Sequence, residues 1–123
     1  MSIVKEKVTM TMVKKFIKDV ANHYKDANVS GVYGIPRGGM ILAVYLSYKM
    51  NIPLLLAPYE NCIIIDDISD SGETLKHYRY NSSGQESHKY HIVTMYYNES
   101  SAVKPDYFRY YKTDKWIVYP WEE

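Results

Sequence analysis

The run Ile63-Ile64-Ile65-Asp66-Asp67-Ile68-Ser69-Asp70-Ser71-Gly72-Glu73-Thr74 sets paired carboxylates, a third carboxylate and a small-residue loop directly behind an apolar strand. Positions 62–65 are apolar without a break, the pattern of a strand buried on both faces, as parallel strands in α/β sheets are; the carboxyl ends of such strands are where these sheets place ligands. Asp66 and Asp67 fall there. Residues 69–74 then offer hydroxyls, a glycine and successive backbone N–H groups leading into a helix start, the usual means of holding a phosphate. The carboxylates are left for sugar hydroxyls or Mg²⁺. Each piece alone reads equally as a solvated strand end or an Asp-Ser-Gly turn with a helix cap. The whole run is far more specific than its parts.

Two further segments point toward phosphate and base chemistry. Gly31-Val32-Tyr33-Gly34-Ile35-Pro36-Arg37-Gly38-Gly39-Met40 reads as a short strand, a Pro-Arg-Gly-Gly turn and the start of an apolar helix. Its two glycines let backbone approach an anion closely, and Arg37 adds a charge that a diphosphate would satisfy. The GxxxxGK[ST] phosphate loop is absent, so a nucleoside-triphosphatase reading finds no partner motif. Near the C-terminus stand Lys104-Pro105-Asp106-Tyr107-Phe108 and Asp114-Lys115-Trp116-Ile117-Val118-Tyr119-Pro120-Trp121-Glu122. Taken by itself, Trp116 would be a core residue, since aromatic rings fill cores more often than they bind ligands.

Together the three segments resemble the type I phosphoribosyltransferases, closest to the xanthine–guanine and hypoxanthine branch, in a short form. The resemblance runs from about Gly31 to the end. It implies an Mg²⁺-dependent transferase of purine salvage that makes a nucleoside 5'-monophosphate and pyrophosphate from 5-phosphoribosyl-1-diphosphate and a 6-oxopurine. In that reading Arg37, Gly38 and Gly39 orient the pyrophosphate, and Asp66 and Asp67 hold the ribose hydroxyls and the metal. Ser71, Gly72, Glu73 and Thr74 take the 5-phosphate, with Glu73 contributing backbone rather than charge. Asp70 meets the purine N7 as the acid–base group, with a helix cap as its plainer role. Trp116 stacks on the base beside Ile117.

The chain departs from the family pattern in two places. Asn98 follows Tyr96-Tyr97 where the purine branch carries a lysine against the 6-oxo group; an amide still donates a hydrogen bond but lacks the charge. The interval that carries a long flexible loop in larger members is reduced to Ala57-Pro58-Tyr59-Glu60-Asn61, which predicts slow or partly hydrolytic turnover because water is not shut out. These departures support an alternative function, a non-catalytic regulatory module that binds the sugar diphosphate or a nucleotide.

The elements that must position these residues follow from periodicity. Met10, Val13, Phe16, Ile17, Val20 and Tyr24 recur at helical spacing behind a cap at Thr9 or Thr11. Strands are expected at 29–35, 62–67 and 90–97, with Val118 in the last, helices over 39–50 and from about Thr74, and an apolar segment at 52–57 that is either a very short strand or outside the parallel core. The fold expected is α/β, a mostly parallel doubly wound sheet of about five strands with flanking helices. One conflict stands inside it: only about six residues would join strands at 52–55 and 62–67, whereas a parallel crossover takes a dozen or more.

At 123 residues, 46% hydrophobic and 24% charged, the chain fits a single domain over 1–123. A net charge of +1 with no basic block gives no field for nucleic acid or a membrane surface. The N-terminal residues lack an apolar signal region and no stretch approaches a membrane span, so a cytoplasmic protein is expected. Cys62 is the only cysteine and sits in the buried-strand pattern, which makes it a core residue. His23, His77, His88 and His91 show no metal-ligand spacing. The 14 tyrosines could fill the core or an interface between copies, and a homo-oligomer, dimer or tetramer, is expected.

Overall fold

The computed structural model describes residues 3–122. Thr9 caps the first helix, α1 (Met10–Tyr24), its side chain accepting from the Met12 N–H at 3.2 Å. The apolar stripe predicted for that helix is its buried face, through Val13, Phe16, Ile17, Val20 and Tyr24. Strand β2 (Val32–Gly34), helix α2 (Gly38–Met50), strand β3 (Ile63–Ser69), helix α3 (Glu73–Arg79), β4 (His91–Tyr97) and β5 (Tyr107–Tyr111) follow. The four strands form one parallel sheet in the order β2-β3-β4-β5.

Period-two alternation sends the apolar run of β3 to both faces. Ile63 and Ile65 join Val32, Val93 and Met95 in the core against α1 and α2, while Cys62, Ile64 and Ile92 pack with Leu75 of α3 and with Val103. The sheet is therefore covered on both sides, as a doubly wound arrangement requires. Ile63, Ile64 and Ile65 are fully buried, and each such side chain contributes roughly 1.5–3 kcal/mol relative to exposure.

The structure decides the place of residues 52–57 and adds a strand that was not expected. Residues 52–57 are not a strand: they touch the sheet through one bridge, Val32 to Leu54, on the outer side of β2. That resolves the short connection, because the chain never climbs along the sheet and so needs no return crossover. Asn61 simply passes beneath β2, its carbonyl accepting from the Ser30 N–H at 3.1 Å and its side-chain amide donating to the Asn28 carbonyl at 3.1 Å. The fourth strand of the main sheet is instead β5, whose Tyr-Phe-Arg-Tyr-Tyr sequence lacks a clean apolar alternation.

Val118 does lie in a strand, but in a separate pair. Strand β1 (Lys5–Lys7) runs parallel to β6 (Trp116–Val118), with Lys5 opposite Trp116 and Lys7 opposite Val118. The pair is tied to the main sheet by Tyr96, whose hydroxyl donates to Glu6 at 2.6 Å. A 3-10 turn, Pro120–Glu122, follows β6.

Candidate functional site

Gly34 and Ile65 are register partners, so β3 extends beyond β2 and Asp66 and Asp67 stand at the opening between β3 and the start of α2. Alternation sends the two side chains different ways. Asp67 lies against the turn before α2, where a Cβ on Gly38 would collide with its carboxylate. Asp66 turns back on the chain, its Oδ1 accepting from the Asp67 N–H at 2.8 Å. Burial, reinforced for Asp66 by the charge of its neighbour, pushes both carboxyls above the usual carboxylate range. A buried acidic pair of this kind favours a cation or a polarised hydroxyl beside it.

The turn ahead of α2 is pressed onto the sheet: a Cβ on Gly39 would collide with the Ile65 carbonyl, and one on Gly34 with Gly39. Only hydrogen fits there, so the Arg37-Gly38-Gly39 backbone comes within reach of the acidic pair. Arg37 itself is exposed at the head of α2, with no side-chain cap bond.

On the other side of the pair the chain closes the loop predicted for a phosphate. Gly72 adopts φ +85° and lies so close to the 101–103 backbone that a Cβ would come within 2.8 Å of two of its nitrogens. Ser69 is buried and anchors the loop from below, its hydroxyl donating to the Val103 carbonyl at 2.8 Å. The Glu73 carboxylate pairs with Lys76 at 3.1 Å, which turns its charge along the helix, while its N–H donates to Ser71 Oγ at 3.3 Å. Ser71 and Thr74 keep exposed hydroxyls.

Three cavities meet at Asp67. The largest, about 750 Å³, lies between Arg37, Gly38, Asp66, Asp67 and Thr74. A second, about 210 Å³, is enclosed by residues 66–75. The third, about 160 Å³, is bounded by Asp67, Asp70, Lys112, Trp116 and Ile117. Trp116 is 60% exposed, which removes the core reading of this residue and leaves its ring available to a ligand. It is held there by β1, which the sequence did not reveal as a strand, through the bond from the Trp116 N–H to the Val4 carbonyl at 2.9 Å.

Asp70 lines both the second and the third cavity. Asn98 stands behind it and does not line the third: its side-chain N–H donates to Asp70 Oδ1 at 2.9 Å, while its own Oδ1 accepts from the Ser100 N–H at 3.1 Å and hydroxyl at 2.9 Å. Asn98, expected beside the base, is held against Asp70 in the structure.

Sequence reasoning missed the C-terminal cover. Trp121 and Glu122 border the largest cavity, Trp121 stacks on Tyr119 with ring centroids 5.1 Å apart, and the Tyr119 hydroxyl donates to the Asp67 carbonyl at 2.9 Å. The shortened 57–61 interval lies elsewhere, bonded to residues 28, 30 and 89 at the amino ends of the strands. Among the described residues no three His, Cys, Asp or Glu side chains converge as a metal cage, and no helix is long and apolar enough to cross a membrane.

No protein-family model matches the chain, and no curated protein does. Solved structures do. A purine phosphoribosyltransferase from Pyrococcus horikoshii is 27% identical, with 97% of this chain and 95% of that one covered and a TM-score of 0.81. A xanthine-guanine-hypoxanthine phosphoribosyltransferase from Helicobacter pylori is 19% identical, covering 96% and 93%, with a TM-score of 0.70. A hypothetical protein from Neisseria gonorrhoeae with bound ppGpp is 19% identical, covering 100% and 92%, with a TM-score of 0.76. The chain has the phosphoribosyltransferase fold. A type I phosphoribosyltransferase of the purine branch fits both its structural neighbours and its motifs.

Proposed function

We propose that this chain transfers a 5-phosphoribosyl group from 5-phosphoribosyl-1-diphosphate to a 6-oxopurine, giving a nucleoside 5'-monophosphate and pyrophosphate. The observation that carries this reading is the meeting of three cavities at Asp67: one faces Arg37 and its glycines, one is a small-residue loop, one is flanked by an exposed tryptophan. A diphosphate, a monoester phosphate and a flat base joined through one pentose need that arrangement.

In the reaction the base nitrogen N9 bonds to C1 of the ribose as the C1–O bond breaks. Pyrophosphate leaves with the electron pair, and the base gives up one proton. Arg37 and the N–H groups of Gly38 and Gly39 orient the leaving group; Ser71, Gly72, Glu73 and Thr74 fix the 5-phosphate by hydroxyls and backbone. Asp66 and Asp67 hold the ribose hydroxyls beside the ring on which positive character builds. Asp70, steadied by Asn98, accepts a hydrogen bond from the N7 side of the purine and takes up the proton. Trp116 and Ile117 hold the base plane.

Mg²⁺ suits this donor set, since it takes one or two carboxylates together with substrate oxygens rather than an all-protein cage. Asp66 and Asp67 would hold it, and when bound it neutralises the diphosphate. The reading carries with it a cytoplasmic role in purine salvage.

The test is direct. The purified chain is incubated with Mg²⁺, 5-phosphoribosyl-1-diphosphate and hypoxanthine, guanine, xanthine or adenine in turn, and nucleotide and pyrophosphate are quantified. Nucleotide from the 6-oxopurines is expected. Binding of 5-phosphoribosyl-1-diphosphate or a nucleotide without product from any base would replace the enzyme with the regulatory binding module.

A further inference from the structure

Helices α1 and α2 pack side by side over the sheet, and the groove between their outer sides holds a hollow of about 870 Å³. Lys14, Lys15 and Lys18 reach it from α1; Tyr45, Tyr48 and Lys49 reach it from the second half of α2. At about 1.5 Å per residue, Tyr48 stands roughly 15 Å along α2 from Gly38. The hollow shares no lining residue with the three cavities that meet at Asp67.

Four ammonium groups gather in this groove, and none of them forms an ion pair among the described residues. The one carboxylate bordering it, on Asp19, is engaged by Arg109 at 3.5 Å. The whole chain carries a net charge of only +1, so outside these four lysines it is net negative. Like charge concentrated in a concave surface calls for a polyanion. The sequence shows no basic block because Lys49 belongs to another helix and joins the α1 lysines only through packing.

The two tyrosines narrow the choice of anion. Three residues apart on α2, they share a face; Tyr48 is 85% exposed and Tyr45 38%, and no ring contact or hydrogen bond ties either to the described residues. A planar base stacks on such a ring whatever its identity, and lysine is a point-charge ligand for phosphate oxygens. A base joined to several phosphates therefore uses both halves of the groove. The volume suits one small molecule, whereas a long strand would pass the lysines within one or two phosphates and run onto net negative surface.

We propose that this groove is a second ligand site, taking a nucleoside polyphosphate with its base against Tyr45 and Tyr48 and its phosphates across Lys14, Lys15, Lys18 and Lys49. The assignment stands apart from the transferase reading, whose residues line the other cavities.

Calorimetric titration of the full chain with ATP, tripolyphosphate, adenosine and a ribo-oligonucleotide tests it, at low salt where screening is weak. ATP should bind more tightly than the other three. The double substitution Lys14→Gln and Lys18→Gln should weaken both ATP and tripolyphosphate at least about tenfold, the scale of one charged hydrogen bond. Tyr48→Ser should weaken ATP about tenfold and leave tripolyphosphate unchanged, since only the stack is lost. All three positions are exposed, so the melting temperature and the affinity for 5-phosphoribosyl-1-diphosphate should equal the parent's in every variant. No binding of ATP, an ATP affinity unaltered in the lysine variant, or tripolyphosphate bound as tightly as ATP overturns the assignment. Preference for the oligonucleotide also overturns it, making the groove a nucleic-acid surface. None of these outcomes touches the transferase reading.

Discussion

Asp66 and Asp67 illustrate what a buried acidic pair costs the free protein. Burial and the neighbouring charge push the Asp66 carboxyl up to about 8 from 3.8, so between these values the folded chain keeps a proton that the unfolded chain has released. The stabilisation is complete below about pH 4 and is lost as pH rises toward 8, because the native state binds more protons over that window. Asp66→Asn keeps the shape and the acceptor for the Asp67 N–H without the charge. Its melting temperature should exceed that of the parent by several degrees at pH 8.5 and match it at pH 4, while 5-phosphoribosyl-1-diphosphate binding is lost; a lower melting temperature at pH 8.5 would refute the account. Asp70 sits in the opposite setting, exposed and held by one amide from Asn98. Asp70→Asn should therefore reduce nucleotide formation by about 10²–10⁴-fold with little change in stability or in affinity for the sugar diphosphate, and steady-state rates beside a binding titration decide it.

At the scale of elements, the Arg37-Gly38-Gly39 turn reaches Asp66 and Asp67 only because α2 starts flush against β3. Gly39→Ala puts a methyl into the Ile65 carbonyl, and since that atom is backbone the turn itself must move away from Asp66 and Asp67. We expect the Michaelis constant for 5-phosphoribosyl-1-diphosphate to rise at least tenfold and the protein to lose about 1–3 kcal/mol, as overpacking usually costs; chemical denaturation and rate measurements report the two separately. The elements that build this contact were legible because each has a strong local signal: the unbroken Cys62–Ile65 apolar run, the Gly-Gly turn, the helical stripe from Val13 to Tyr24. Strand β5 was not, because Tyr107, Phe108 and Tyr110 are only partly buried and Arg109 faces out to Asp19, which blurs the alternation. Strand β1 was invisible for a related reason. Lys-Glu-Lys has no apolar face to read, and it becomes a strand through backbone pairing with Trp116–Val118. Residues 52–57 stayed ambiguous for the opposite reason: Leu54 and Leu56 look like strand interior but are 47% and 97% exposed.

That exposure bears on the whole molecule. Helix α2 is apolar on more than its inward side. Leu42, Ala43 and Leu46 are buried, yet Met40, Val44 and Tyr48, one stripe at four-residue spacing, remain on the surface at 51%, 40% and 85% exposure. Met40 and Val44 line a common hollow with Leu54 and Leu56, so this end of the stripe and the 52–57 segment share one apolar surface, while Tyr48 borders a separate hollow with Lys14, Lys15 and Lys18. A helix hydrophobic all round belongs in an interior, and patches of this size on soluble proteins mark association surfaces. We propose that two copies pair through α2, burying this face against its own image. Light scattering at micromolar concentration should give twice the 14.4 kDa chain mass; the double substitution Val44→Glu and Leu56→Glu, which touches exposed positions only, should give the monomer with an unchanged far-ultraviolet spectrum. Because Met40 directly follows Gly38 and Gly39, pairing would also stiffen the turn proposed for the pyrophosphate, so the monomeric variant should bind 5-phosphoribosyl-1-diphosphate several-fold more weakly while keeping its affinity for ribose 5-phosphate. A parent chain that is already monomeric, or a variant that dissociates with no change in diphosphate affinity, would separate α2 from any part in assembly or from any influence on the site.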